Sequence, residues 1–242
     1  MSTQDILHER FFEALISGDR QIARALLDET KREETPAELL FTDLFWPVYN
    51  TIEKLYREDQ LSTLAHHYAT RLLRVLVDQT SLRLVQKPAR GKSVIAFCGP
   101  SDPDELGAQM AVDLLEADGY EVRFAAGGIA EDELLGHIQT EQPDVMLMFA
   151  SAPQDLPGAR WLIDKLNEIG ACRHTQVVVG GGVFNRAEGL AEEIGADLWA
   201  ESPAEVLQVM EEEPDRRMSQ DQRTVGRHKA AVKSKSKKRE AA

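Results

Sequence analysis

The apolar residues of the chain follow one pattern before residue 86 and another after residue 92. In the first part they recur at helical spacing, as in FFEALISGDRQIARALLDET, where Ser17-Gly18-Asp19 predicts a turn or N-cap between two helices. Thr35-Pro36-Ala37-Glu38 predicts another helix start, with Thr35 as N-cap, and a further helix begins near Ser62. We therefore predict a helical cap domain over residues 1–86.

Beyond a polar linker, short apolar runs alternate with amphipathic segments. The runs predict strands at 93–98, 120–125, 145–150, 176–179 and 197–200, and the segments predict helices at 106–118, 130–140, 156–168, 185–194 and 203–210. Strict alternation of strand and helix favours a doubly wound, parallel sheet. We predict a flavodoxin-like (Rossmann-like) five-stranded α/β domain over residues 92–213, with ligands beyond the carboxyl ends of the strands.

The net charge of −13 is unevenly distributed. Residues 216–242 contain ten Lys or Arg and two acidic residues, a net charge of +8, so the remainder carries −21. The third predicted region, 214–242, has little hydrophobic content and should be disordered in isolation. Its basic part, 216–239, suits weak, salt-dependent contacts with nucleic-acid phosphates. A solubilising role and a contact with the acidic body remain open alternatives.

Composition excludes several other classes. No apolar run approaches the roughly 20 residues that a membrane helix needs, and the N-terminus lacks the apolar region of a secretory signal. Cys98 and Cys172 lie far apart without metal-site spacing. We expect a reduced, cytoplasmic setting without membrane contact. No nucleophile–base pair is recognisable, so we do not expect the chain to be an enzyme.

Three predicted loops lie at the carboxyl edge of the sheet. They are Asp102-Pro103-Asp104-Glu105-Leu106-Gly107, Ser151-Ala152-Pro153 and Gly180-Gly181-Gly182. Hydroxyl groups and missing side chains at strand ends suit a long ligand tail that enters between strands. Plainer interpretations are also open: the aspartates as an ordinary helix N-cap region, the glycines as a turn, and the serine as a loop residue.

In order and spacing these loops resemble the cobalamin-binding module, whose first loop reads Asp-x-His-x-x-Gly. The resemblance implies that Asp102 and Gly107 occupy motif positions and that Asp104 stands where the family has the histidine that ligates cobalt from below. It also implies that Ser151 lines the channel for the nucleotide tail. Gly180, Gly181 and Gly182 would let that tail pass close to the backbone.

The helical half resembles the cap of B12-dependent light-sensing regulators, in the segments 46–56 and 61–70. In that cap a tryptophan precedes a Glu-His pair by a fixed interval, and the histidine can ligate the upper face of cobalt. Here Tyr56 stands for the tryptophan, His66 for the glutamate and His67 for the histidine. The resemblance therefore implies a cofactor cover at Tyr56 and a metal ligand at His67. Glu53 replaces a glycine common in the cap.

The aspartate at position 104 leaves three outcomes open. A carboxylate is a harder ligand than imidazole, and Asp102 and Asp104 would repel each other if both faced a closed site. Cobalamin could bind with its own base still on cobalt, His67 could supply the single protein ligand from above, or the domain could have kept the fold and lost the cofactor.

From these features we expect a non-catalytic, corrinoid-binding sensory or regulatory protein, in transcription regulation or as a photoreceptor. Adenosyl- or methylcobalamin would lie between the cap and the sheet edge, and a change of upper ligand would alter the packing of the domains and thus the binding of a protein partner. Two alternatives are a corrinoid shuttle that carries a methyl group in a methyltransferase system, and a cofactor-free interaction module.

Overall fold

The helical half consists of five α-helices and one π-helical turn. The computed structural model describes residues 3–170 and 172–218. The helical elements are α1 (Thr3–Ser17), α2 (Arg20–Arg32), α3 (Ala37–Leu40), a π-helical turn (Phe41–Phe45), α4 (Trp46–Arg57) and α5 (Thr63–Ser81). Asp19 caps α2 by accepting the main-chain N–H groups of Gln21 and Ile22, and Ser62 caps α5. Both starts confirm the sequence prediction.

The start of α3 differs from the prediction. Thr35 is not the N-cap; the capping residue is Pro36, which has an extended backbone and makes no side-chain hydrogen bond to the helix. Because Pro36 itself is extended, with φ of −56° and ψ of 137°, the helix begins one residue later than predicted, at Ala37.

The π-helical turn leads directly into α4, which has Pro47 in its first turn. Proline has no N–H group, so the carbonyl of Asp43, four residues earlier, loses the donor that a continuous helix would supply. His8 of α1 replaces that donor through a hydrogen bond from Nε2 to the Asp43 carbonyl. The irregular turn is thereby tied to α1, and α4 leaves it at a fixed angle.

The second half is a five-stranded, fully parallel sheet in the order β2-β1-β3-β4-β5, which confirms the predicted fold class. The strands are β1 (Ser93–Cys98), β2 (Glu121–Phe124), β3 (Val145–Phe149), β4 (Gln176–Gly180) and β5 (Leu198–Ala200). The helices are α6 (Asp102–Ala117), α7 (Glu131–Glu141), α8 (Leu156–Ile169), α9 (Gly182–Arg186), α10 (Leu190–Ile194) and α11 (Pro203–Glu212), with a 3-10 turn at Pro153–Asp155. The strand order reverses between β1 and β3, and their loops diverge there to form a crevice.

Two helices differ from the predicted boundaries. Helix α6 begins at Asp102 rather than 106, because Ser101 serves as its N-cap. The predicted helix over 185–194 is two short helices, α9 and α10. Gly189 between them has φ of 84°, a left-handed conformation that breaks the helix and that glycine adopts without strain.

Helix α6 joins the two halves. Its residues Leu106, Met110 and Leu114 belong to the core of the helical cap, whereas Ala108 and Leu115 pack against the sheet. Both faces of α6 are therefore buried, and the cap sits on the same helix that carries the first sheet-edge loop. None of the described helices is long and apolar enough to cross a membrane. Most of the predicted basic region 214–242 lies outside the described residues.

Candidate functional site

A narrow crevice separates helix α4 from the carboxyl edge of the sheet. The cap contributes one helical face, and the sheet edge contributes the ends of β3 and β4 and the start of α6; the lining residues are Trp46, Tyr49, Asn50, Glu53, Arg57, Asp104, Gly107, Phe149, Ser151, Gly181 and Gly182. Its volume is about 20 Å³. Organic ligands occupy sites of roughly 300–1,000 Å³, so entry of a cofactor requires α4 to move away from the sheet.

Aromatic rings form the roof of this crevice. The rings of Trp46 and Tyr49 lie 5.4 Å apart, one helical turn from each other. A Cβ atom on Gly107 would lie 3.7 Å from Trp46, 3.9 Å from Phe149 and 4.0 Å from the Tyr49 hydroxyl. These are ordinary contact distances, so Gly107 lies directly under the roof and a methyl group there would just touch it. Burial, with Glu53 and Asp104 nearby, raises the pKa of Tyr49, which stays protonated.

Asp104 is almost fully buried, with 2% of its surface exposed. The Ser101 hydroxyl accepts the Asp104 N–H and also hydrogen-bonds to its Oδ2 atom. The other oxygen, Oδ1, has no partner of normal hydrogen-bond geometry among the described residues, although Ser101 and Ser151 both lie close enough to oppose a rise in the pKa. Burial is the larger effect and raises the pKa of Asp104.

A second carboxyl group faces Asp104 across Gly99. A Cβ atom on Gly99 would lie 2.7 Å from Oδ2 of Asp104 and 2.8 Å from Oδ2 of Asp155. Asp155 also accepts the Ala152 N–H at 3.3 Å, which fixes the second loop. Two carboxyl groups that converge on one glycine disfavour each other's ionisation, so Asp155 adds to the raised pKa of Asp104.

The structure gives the other two predicted loop positions different settings. Asp102 is the first residue of α6, but its side chain lies outside the described part of the structure. Ser151 is half-buried and lines the crevice, and its carbonyl accepts a hydrogen bond from Nη2 of Arg186 at 2.5 Å. The aspartates were one candidate for the N-cap of this helix, but the side chain that caps α6 is that of Ser101.

The glycines after β4 are needed mainly because neighbouring protein atoms leave little room for a Cβ atom. Gly181 has φ of 103°, and a Cβ there would lie 2.3 Å from the Ala150 carbonyl oxygen. A Cβ on Gly180 would lie 3.1 Å from the ring of Phe149. At Gly182 the nearest atom, at 2.6 Å, is Nη1 of Arg186, the end of an exposed side chain. Gly182 is therefore the glycine whose space a ligand could use.

The cap histidines point in different directions. His66 is buried, lies 2.7 Å from Oε1 of Glu53 and stacks on Tyr56 with ring centroids 3.9 Å apart. His67 is exposed, and neither it nor Tyr56 is among the residues that line the crevice. Adjacent residues on a helix diverge by about 100°, so only one histidine can face the cap interior.

Several residues in or beside the crevice were not predicted to be site residues. Trp46, Tyr49, Glu53 and Arg57 follow the spacing of one helical face, which a search of α4 for a polar–aromatic stripe would have found. Arg186 follows the glycine loop by four residues and carries no recognisable sequence signal. Among the described residues, no three His, Cys, Asp or Glu side chains are grouped so as to hold a metal ion.

A larger, mostly apolar cavity lies behind the crevice, between the sheet and helices α7 and α8. Its volume is about 300 Å³, and its apolar lining includes Phe97, Ile129, Leu134, Met148, Leu162 and Phe184. Gly99 and Asp155 also line it, so it extends to the same two loops that border the crevice. An apolar ring entering between those loops would find a site of suitable size.

Comparison with known proteins gives a consistent result for both halves. Two family models, each described as a B12 binding domain, match residues 92–208 and 7–80. Dimethylamine corrinoid protein 1 of Methanosarcina acetivorans is 23% identical over 86% of this chain and 96% of its own length. Dimethylamine corrinoid protein 2 of Methanosarcina mazei is 22% identical over the same shares.

One solved structure shares the whole architecture. The monomethylamine corrinoid protein of Methanosarcina barkeri aligns with a TM-score of 0.68 over 87% of this chain and 99% of that one, at 17% identity. At such low identity the likeness establishes the fold, including the helical cap.

Proposed function

Because the chain belongs to the family of B12-binding domain proteins, we propose that it is a corrinoid protein that carries a methyl group within a methyltransferase system. The observation that carries this proposal is the end-to-end match with dimethylamine corrinoid proteins, which spans cap and sheet together. When bound, cobalamin supplies a cobalt atom that can accept and donate a methyl group. The chain contributes the binding site and the cover over it.

The side of the site formed by the sheet fits the nucleotide tail. Ser151 and Gly182 border the crevice, and the cavity of about 300 Å³ behind it is lined by apolar side chains. The unpartnered Oδ1 atom of Asp104 lies at the same edge. In this proposal the phosphodiester part of the tail lies beside Ser151 and Gly182, and the base does not enter the apolar cavity.

The cap fits the role of a cover. Trp46 and Tyr49 provide flat apolar surface opposite the sheet edge, directly above Gly107. Burial raises the pKa of Tyr49 above its usual range, so its hydroxyl stays protonated. Opening of α4 would admit the cofactor and later expose it to partner enzymes that load and unload the methyl group.

The first loop does not fit the role of a lower cobalt ligand. The carboxyl group of Asp104 is buried, is engaged by the Ser101 cap, and has its pKa raised by burial. A carboxyl group is a harder ligand than imidazole and a poor substitute for it on cobalt. We propose that no protein imidazole reaches the lower face and that the cofactor's own base keeps that position.

The relatives favour the methyl carrier over the sensory interpretation. Their names describe methylamine corrinoid proteins. For His67 to ligate cobalt and Tyr56 to cover it, both side chains would have to turn toward the crevice, whereas Glu53 already lines it. Those two roles stay predictions.

A comparison of cofactor forms separates the two functions. The protein is incubated with hydroxo-, methyl- or adenosylcobalamin, desalted, and examined by visible spectroscopy and size-exclusion chromatography in darkness and after illumination. A methyl carrier retains hydroxo- and methylcobalamin, and illumination of the adenosyl form leaves the elution volume unchanged. Retention of adenosylcobalamin alone, with a light-dependent change in elution volume, would instead support the sensor.

A further inference from the structure

The guanidinium group of Arg186 occupies the entrance formed by the second and third loops. Its Nη2 atom donates to the Ser151 carbonyl at 2.5 Å, and its Nη1 atom fills the space beside Gly182. The side chain is exposed and makes this one hydrogen bond among the described residues, so it can swing aside. Any ligand segment that enters beside Gly182 must displace this cation or bind to it.

A second guanidinium group faces the same crevice from the cap. Arg57 lines the crevice, and its charge, after burial, lowers the pKa of Arg186. Neither arginine has a carboxylate within ion-pair distance among the described residues. The acidic residue whose charge reaches Arg186 is Asp104, whose own pKa is raised. Two cations thus lie at a crevice whose acidic residues are engaged elsewhere, Glu53 with His66 and Asp104 with Ser101.

We propose that Arg186, supported by Arg57, binds the phosphodiester of the corrinoid's nucleotide tail and so selects complete corrinoids over those that lack the tail. This inference rests on the proposed binding of a corrinoid. The phosphodiester is the formal anion of that tail, and a planar guanidinium group matches its oxygen atoms with two parallel hydrogen bonds. Entry of the tail would break the hydrogen bond between Arg186 and Ser151. The charge-assisted hydrogen bonds from Arg186 to the phosphodiester would offset that loss.

The test compares cobalamin with cobinamide, which lacks the nucleotide and its phosphodiester. Dissociation constants for hydroxocobalamin and for aquocobinamide are measured by spectroscopic titration with the full chain and with Arg186→Ala, Arg186→Lys and Arg57→Ala. Arg20→Ala, at an exposed arginine of α2, is the matched control. Thermal unfolding verifies that each variant is folded.

We expect Arg186→Ala to weaken cobalamin binding by about 10- to 100-fold, the loss of a charge-assisted hydrogen bond, with cobinamide binding unchanged. Arg186→Lys should restore part of the loss, Arg57→Ala should show a smaller one, and Arg20→Ala none. Added salt should weaken cobalamin binding more than cobinamide binding.

Two outcomes would overturn the inference in different ways. If Arg186→Ala weakens the binding of cobalamin and cobinamide equally, or weakens neither, then Arg186 does not bind the phosphodiester. The proposal that the chain binds a corrinoid would still stand. Failure of the unaltered chain to bind either corrinoid would remove the proposed function together with this inference.

Discussion

The Nε2 atom of His66 lies 2.7 Å from Oε1 of Glu53 and links helix α5 to the helix that covers the crevice. Both side chains are largely buried, with 7% and 12% of their surfaces exposed. The ring of Tyr56, one turn after Glu53 on α4, stacks on the same imidazole. This three-residue cluster holds the end of α4 on α5 and therefore sets the position of the cover.

The cluster predicts a large difference between two adjacent histidines. His66→Ala leaves the Glu53 carboxylate buried without its partner and removes the stacked ring, so we expect a loss of about 3 kcal/mol in the free energy of unfolding. The exposed His67 is the matched control, and His67→Ala should change it by less than about 0.5 kcal/mol. Urea denaturation measures both. Similar losses in the two variants would contradict the role assigned to His66.

The position of Asp104 predicts a change in cobalt ligation. Asp104→His restores the imidazole of the family motif, and we expect the spectrum of bound cobalamin to shift to a form in which its own base has left the cobalt. Asp104→Asn keeps the size of the side chain without an imidazole and should leave the spectrum unchanged. An identical spectrum in the unaltered protein and Asp104→His would show that position 104 does not face the cobalt.

Asp113 predicts a pH dependence of stability. This residue of α6 is buried, accepts a hydrogen bond from Gln109 at 2.7 Å, and has its pKa raised to about 7 by burial, with Glu116 and Asp78 adding to the rise. A carboxyl group with a raised pKa in the folded state favours folding less as pH rises from its unfolded pKa, near 4, through 7.

The free energy of unfolding should therefore decline over that range by up to about 4 kcal/mol from this residue. Asp113→Asn should remove the decline, so that the variant is more stable than the unaltered protein at pH 8 and similar to it at pH 4. Chemical denaturation across that pH range measures the difference. A constant difference between the two proteins at all pH values would refute the assignment.

The two neighbouring glycines predict opposite outcomes. Gly181→Ala places a Cβ 2.3 Å from the Ala150 carbonyl in a left-handed backbone, and we expect a loss of about 3 kcal/mol or more, or failure to fold. Gly182→Ala meets only the movable end of Arg186 and should cost less than about 1 kcal/mol. Its effect should appear as weaker cobalamin binding. Equal losses of stability in the two variants would show that both glycines are needed for the backbone conformation and that neither leaves space for a ligand.

The fold was largely predictable from the chain because its signals are local. The strand Ser93–Cys98 has the predicted bounds, since a buried apolar run ends at Gly99-Pro100. The split between α9 and α10 was missed because the single helical pattern hides the left-handed Gly189. The sequence of an amphipathic segment does not show whether a glycine within it adopts a helical or a left-handed φ angle.

The site was less predictable because it depends on contacts between distant segments. The sequence places His66 and His67 side by side, but which one is buried depends on Glu53, 13 residues earlier. Likewise, the hydrogen bond from Arg186 to the carbonyl of Ser151 joins residues 35 positions apart, and no sequence spacing predicts it. Gly107 and Ser151 line the crevice, and their contact with a corrinoid stays a prediction.

The most direct test of the account is the retention of hydroxocobalamin by the purified full chain. The protein is mixed with excess cofactor and desalted. The amount of bound corrinoid is then determined from the visible spectrum and divided by the protein concentration. We expect one corrinoid per chain, with a spectrum in which the cofactor's own base remains on cobalt, and less retention by Gly182→Ala. A colourless protein after desalting, with folding verified by circular dichroism, would contradict the central claim that this crevice holds a corrinoid.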